Sequence, residues 1–177
     1  MPSDAFLALG SNLGDRKALV DAAVRRLGAL RETMLVARSS YYRTEPVGPV
    51  PQDWFLNLVV QVATALAPEA LLDAAHLIEA ELGRDRSREV RWGPRTLDID
   101  LIAHGDAARG GPGLILPHPR FAERAFVLVP LAEIAPHAVI GGRSVASHLG
   151  AVGAGGVEKL GWAVPPREDV AALAGFG

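Results

Sequence analysis

A chain of 177 residues, 49% hydrophobic and 21% charged, is long enough for one domain with a substantial core and too short for several. Its formal net charge of −2 excludes a general electrostatic grip on nucleic acid and leaves room only for local basic patches. It has no cysteine, hence no disulfide, thiolate metal site or thiol nucleophile, and no apolar run of membrane-spanning length, so a cytoplasmic monomer away from membranes is expected.

AFLALG, residues 5–10, reads as a short buried strand, and SNLGD after it supplies turn and cap residues for a helix. That helix is predicted to run to about residue 30, with Val20, Ala23, Val24, Leu27 and Leu30 on its apolar stripe. Strands are predicted at 34–43 and 54–64, both rich in β-branched and aromatic residues and separated by the irregular TEPVGPVPQD. Pro68 opens a second helix, with Leu71, Ala75, Ile78 and Leu82 on one stripe and Gly83 placed to end it. A strand through residues 97–101 follows, then a mobile-looking loop at 104–113, a short helix around PLAEIAP and a Gly-rich tail read as linker. The order strand, helix, strand, strand, helix, strand predicts an α+β, ferredoxin-like βαββαβ fold. Its antiparallel sheet would carry helices on one face and leave the other open. Residues 1–145 are expected to form the single domain, and 146–177 a tail.

The segment RWGPRTLDIDL carries the most chemistry. Strict alternation puts Leu97, Ile99 and Leu101 on the core face and both Asp98 and Asp100 on the other. Two strand rises, roughly 6 to 7 Å, separate the acids. Like charges so placed repel each other unless a cation joins them, which points to a divalent metal site. Just before them, GRDRSREVRWGPR supplies Arg84, Arg86, Arg88, Arg91 and Arg95. Arginine forks that cannot lose their charge fit phosphate oxygens, and with metal-binding acids beside them a polyphosphate is the expected anion. In WFLNLVVQV the same parity sets Phe55, Asn57, Val59 and Gln61 opposite a core face, and an aromatic beside an amide suits a flat heteroaromatic ligand. The phosphate loop GxxxxGK[ST] is missing.

LALGSNLGDR, YYRTEPVGP, FLNLVV, IEAELGR, RWGPRTLDIDL, LPHPR and ERAFVLVPLAEIAP, in that order over residues 7–136, resemble the 6-hydroxymethyl-7,8-dihydropterin pyrophosphokinase family of folate synthesis. The resemblance implies transfer of the terminal diphosphate of ATP to the pterin's hydroxymethyl oxygen with release of AMP. It implies two Mg2+ ions on Asp98 and Asp100. It places Phe55 and Phe126 around the pterin, Asn57 on its polar edge, and backbone from Thr44 to Val47 beside it. Arg84 and Arg95 become the catalytic cations on the triphosphate, with Glu79, Arg91, His118 and Arg124 around the nucleotide and Arg86 and Trp92 on a mobile loop that closes on it. His76 stands where the family commonly has Gln. A metal-dependent phosphodiesterase would also use two acids and an arginine cluster, but leaves Phe55 and Phe126 without a purpose. An RNA-binding module would not place paired acids on its open face.

Overall fold

In the computed structural model, residues 1–160 are described. The elements in chain order are β1 (Ser3–Ser11), α1 (Arg16–Gly28), β2 (Thr33–Arg38), β3 (Tyr42–Thr44), β4 (Phe55–Thr64), α2 (Pro68–Glu81), β5 (Asp98–His104), β6 (Arg109–Gly111), β7 (Leu114–Leu116), α3 (Ala125–Ile134), β8 (Val139–Ile140), β9 (Arg143–Ser144), α4 (Val145–Val152) and β10 (Val157–Lys159). The main sheet runs β10-β3-β4-β1-β5, with β2 also paired to β4, and its pairings are antiparallel. With β2 and β3 taken as one interrupted strand, this is the βαββαβ order expected from sequence.

Local chemistry sets the helix ends. Asp15 caps α1 by accepting the Ala18 N–H at 3.1 Å, and Pro68 begins α2, where its missing N–H costs nothing. Gly83 follows α2 with a φ of 98°, a conformation that a Cβ would strain. Leu7, Leu9, Leu56, Leu58, Ile99 and Leu101 meet Val24, Leu27, Leu71 and Ile78 of the two helices in one core, as the strand and helix periods predict.

Five expectations are corrected. The span 34–43 is two strands, because the buried Ser39 takes the Val59 N–H on its Oγ at 2.9 Å and the chain leaves regular pairing there. The second sheet face is not open: α3 and α4 cover part of it through a second core containing Phe6, Val59, Ile102, Phe121, Val127 and Leu131. The helix read around PLAEIAP starts earlier, at Ala125, with Pro130 inside it, because FVLVPL is apolar on nearly every side and is buried. Within 104–113, expected as loop, Arg109–Gly111 pairs with Leu114–Leu116 in a hairpin. The supposed linker holds α4 and β10, and β10 extends the main sheet from Val157 opposite Thr44 to Lys159 opposite Tyr42. The rest of the expected tail, 161–177, lies outside the described residues. Among the described residues, no helix is long and apolar enough to cross a membrane.

Candidate active site

Three strands build the floor of the site. Antiparallel register places Asn57 of β4 beside Gly10 of β1, and Gly10 beside Asp98 of β5; one row along, Val59, Ala8 and Asp100 line up. Side chains in a register row face the same way, so Asn57 and Asp98 stand on one surface with only a glycine between them. The gap is needed. A Cβ on Gly10 would come within 2.5 Å of Asn57 Oδ1. Both acids are half-buried, while Leu97, Ile99 and Leu101 are fully inside, as the alternation predicts.

On either side of this floor lies a hollow. The first, about 480 Å³, is bordered by Arg84, Arg86, Arg95, Asp98, Asp100 and His118, together with Leu72, His76 and the β6–β7 hairpin. Arginine and apolar lining together suit a ligand with a charged end and a flat, less polar body. His118 Nδ1 accepts the Arg120 N–H at 3.1 Å, which leaves the ring proton on Nε2. Burial first, and then the Arg124 cation, hold this imidazole below its ordinary pKa and keep it neutral.

The second hollow, about 540 Å³, is bordered by Phe55, Asn57, Phe126, Trp92, Arg124 and Arg95, with Thr44 and Val47 at its edge. Asn57 donates through Nδ2 to Thr44 Oγ1, which fixes the amide and turns its oxygen towards Gly10. Arg95 and Asp98 border both hollows, so the two meet at Asp98, with Asp100 on the side of the first.

The acids are tightly framed by arginine. Arg84, with a side chain 3% exposed, pairs with Glu79, with Glu89 at 2.5 Å and with Asp98 Oδ1 at 2.8 Å. Arg95 reaches Asp98 Oδ1 at 3.4 Å, and Arg124 reaches Asp100 Oδ2 at 3.8 Å. Burial pulls the Arg84 guanidinium down, but the bond it donates to Glu89 and the charges of Asp98 and Glu79 outweigh it and hold the group above its ordinary value. Glu79, 1% exposed, is pushed up by burial against the pull of Arg84. It accepts the Ile99 N–H at 3.1 Å, and so pins the strand between the two acids. The Asp100 carboxyl is pushed up as well, first by burial and then by Asp98, whose like charge a cation would offset.

Do these residues fit a metal? Among the described residues no three His, Cys, Asp or Glu side chains gather into a binding group. Two carboxylates suffice for Mg2+, however, when substrate phosphates and water complete its oxygen shell, and the donor set here matches that pattern.

The structure brings most of the expected site residues together, with differences in placement. Arg124 and Trp92, expected on the nucleotide, border the second hollow; Glu79 lies beneath the first; and Arg91 borders neither, its guanidinium standing 5.5 Å from the Trp92 ring. The sequence reading missed Gly10, Gln52, the β6–β7 hairpin and Gly155–Val157 as lining. A glycine in a strand is a signal of close approach, and Gly10 carried it.

The model of the 7,8-dihydro-6-hydroxymethylpterin-pyrophosphokinase (HPPK) family matches residues 6–136. The chain is 50% identical over 156 residues to the 2-amino-4-hydroxy-6-hydroxymethyldihydropteridine pyrophosphokinase of Methylorubrum extorquens, covering 88% of this chain and 98% of that one. It is 47% identical over 134 residues to the enzyme of the same name from Bacillus subtilis, covering 76% of this chain and 79% of that one. Among solved structures, wild-type Plasmodium falciparum HPPK-DHPS with pteroate aligns with a TM-score of 0.67 at 15% identity, over 85% of this chain and 42% of that one. At that identity the likeness concerns the fold, and the chain spans less than half the length of that protein.

Proposed function

The chain belongs to the 7,8-dihydro-6-hydroxymethylpterin-pyrophosphokinase family, and on that premise we infer that its two hollows meet where diphosphate passes from ATP to the pterin. The reaction moves the terminal diphosphate of ATP to the hydroxymethyl group of hydroxymethyldihydropterin, releasing AMP, in folate biosynthesis. The observation that carries the assignment of sites is the register row Asn57, Gly10, Asp98, which sets an amide suited to a heteroaromatic edge across a single glycine from the first acid.

The pterin is assigned to the second hollow. Phe55 and Phe126 border it with their rings, and Asn57, locked by Thr44, offers its oxygen to the donor edge of the ring system. ATP is assigned to the first, with its triphosphate towards Arg84, Arg86, Arg95 and His118. Phosphate oxygens would replace carboxylates as partners of Arg84 and Arg95, freeing Asp98 for two Mg2+ ions shared with Asp100. Bound there, Mg2+ would supply positive charge that offsets the triphosphate and steadies the departing AMP. Arg95, at the junction, follows the transferred group from one hollow to the other. The neutral His118 donates from Nε2 without taking up a proton at pH 7. Positioning and electrostatics therefore supply the catalysis.

The deciding experiment mixes the protein with ATP, Mg2+ and 6-hydroxymethyl-7,8-dihydropterin and separates the nucleotides. Pterin-dependent AMP is the expected product; ADP, or AMP formed without the pterin, would overturn the reading.

Two variants test the pterin hollow. Gly10→Ala forces Asn57 away from its place, and the loss of about one hydrogen bond should raise the pterin KM roughly tenfold with the ATP KM unmoved. Phe55→Ala removes a ring face and should raise the pterin KM about tenfold or more. If steady-state kinetics showed the ATP KM rising instead in either variant, the two hollows would be assigned the wrong way round.

A further inference from the structure

Asn12 lies just past β1, at the junction of three loops, yet is only 3% exposed. Its own N–H donates to the Arg95 carbonyl at 3.1 Å. Its side-chain Oδ1 accepts the Arg95 N–H at 2.8 Å, while Nδ2 donates to Gln52 Oε1 at 2.9 Å and to the Asp53 carbonyl at 3.0 Å. Gln52 then donates from Nε2 to the Trp92 carbonyl. The two ends of this chain are backbone groups of unambiguous sense: the Arg95 N–H only donates and the Trp92 carbonyl only accepts. Both amides in between are therefore oriented by the network itself.

Trp92 needs such a hold. Its φ of 65° is in the left-handed region, unfavourable for a bulky residue, and persists where surrounding contacts impose it. Its ring packs over Gly48, where an added Cβ would lie 3.1 Å from the Trp92 Cβ, and the Arg120 guanidinium stands 5.5 Å from the ring centre. Trp92 borders the pterin hollow, and Arg95 borders both hollows.

We propose that Asn12 and Gln52 are positioning residues: a polarised amide relay that fixes Trp92 over the pterin hollow relative to Arg95 at the junction with the nucleotide hollow. The roles given to the two hollows rest on the functional reading above; the relay itself rests on the hydrogen bonds. Asn12 borders neither hollow and acts only through its partners, whereas Gln52 also borders the pterin hollow, so for Gln52 the Trp92 resonance and not the pterin KM decides the positioning role.

The relay's polarity makes acids the informative substitutions, because they keep shape and remove donors. Gln52→Glu keeps the acceptor for Asn12 but turns a carboxylate oxygen on the Trp92 carbonyl. Asn12→Asp keeps the acceptor for the Arg95 N–H, loses both donated bonds, and draws the Gln52 amide to itself and away from Trp92. Each breaks the link to Trp92 and spares the link to Arg95. Each should raise the pterin KM about tenfold while the ATP KM stays within about twofold, the effect of one hydrogen bond. Asn12→Leu removes every side-chain bond of the relay, to Arg95 as well as towards Trp92, and should raise both KM values.

Kinetics are paired with a readout that needs no substrate. In a 15N-labelled full-length chain, the Trp92 indole N–H resonance, assigned by its loss in Trp92→Phe, should shift or broaden in Gln52→Glu while that of Trp54 stays in place. Gln52 is partly exposed, so this variant tests the relay even if Asn12→Asp fails to fold. An unmoved Trp92 resonance in Gln52→Glu overturns the relay. So does a parallel rise of both KM values in a folded Gln52→Glu protein. If the wild-type protein makes no pterin-dependent AMP, the functional reading falls, and the Trp92 resonance alone decides the relay.

Discussion

Asp100→Asn should lower kcat about a thousandfold or more while leaving the thermal midpoint near that of the wild type, since the change keeps shape and removes only charge. Asp98→Asn should do the same. The argument rests on placement. Asp98 and Asp100 project from one face of β5, Asp98 where the two hollows meet and Asp100 bordering the first, and Asp100 carries a carboxyl raised by burial and by its neighbour. A group with that shift costs energy to ionise, and positive charge arriving with the substrate would offset that cost. Single-turnover measurement of AMP release at saturating Mg2+ checks this. Turnover within tenfold of wild type in both variants would remove the acids from the chemistry.

The largest effect on stability is expected from Arg84→Met. Its guanidinium is buried among Glu79, Glu89 and Asp98, and removing it leaves Glu79, itself 1% exposed, without its closest cation. Breaking a buried pair from one side costs about 3–5 kcal/mol, equivalent to a fall in the thermal midpoint of roughly 10 °C for a chain of this size. The pH dependence gives the cause away. Glu79 has a folded-state pKa above its unfolded value, so the native state binds the extra proton and stability falls as pH rises through that range. Without Arg84 the shift grows, and the deficit against wild type should be larger at pH 8 than at pH 5 in calorimetry. A deficit that does not change with pH would assign the loss to packing alone.

How much of this was legible beforehand depended on whether neighbours along the chain or across the fold decide it. The alternation from Leu97 to Leu101 told which side each acid takes, because a period of two leaves no other arrangement once one face is apolar. The helix stripes of α1 and α2 were equally local. By contrast, β10 is a strand because the edge of β3 offers it partners, and nothing in GVEK announces that. The same holds for Arg109–Gly111, whose glycines read as loop until Leu114–Leu116 pairs with them. α3 was foreshortened since Pro130 looks like a beginning, whereas here it sits inside a buried helix. At the site, charge type pointed to arginines as partners for a polyphosphate, but not that Arg84 is already occupied by three carboxylates, a fact of tertiary packing. Asn12 and Gln52 gave no signal at all, because an amide's role is set by what lies within 3 Å of it.

The bare stretch of floor at Gly10 bears on inhibitor resistance. A compound reaching from beside Asn57 to Asp98 passes over the β1 backbone there, and any side chain introduced at Gly10 to obstruct it would first collide with Asn57. With the pterin in the second hollow as proposed, a mutation that blocks the compound at that point also damages the grip of Asn57 on the pterin, so escape begins elsewhere, most readily among the exposed loop residues such as Val47.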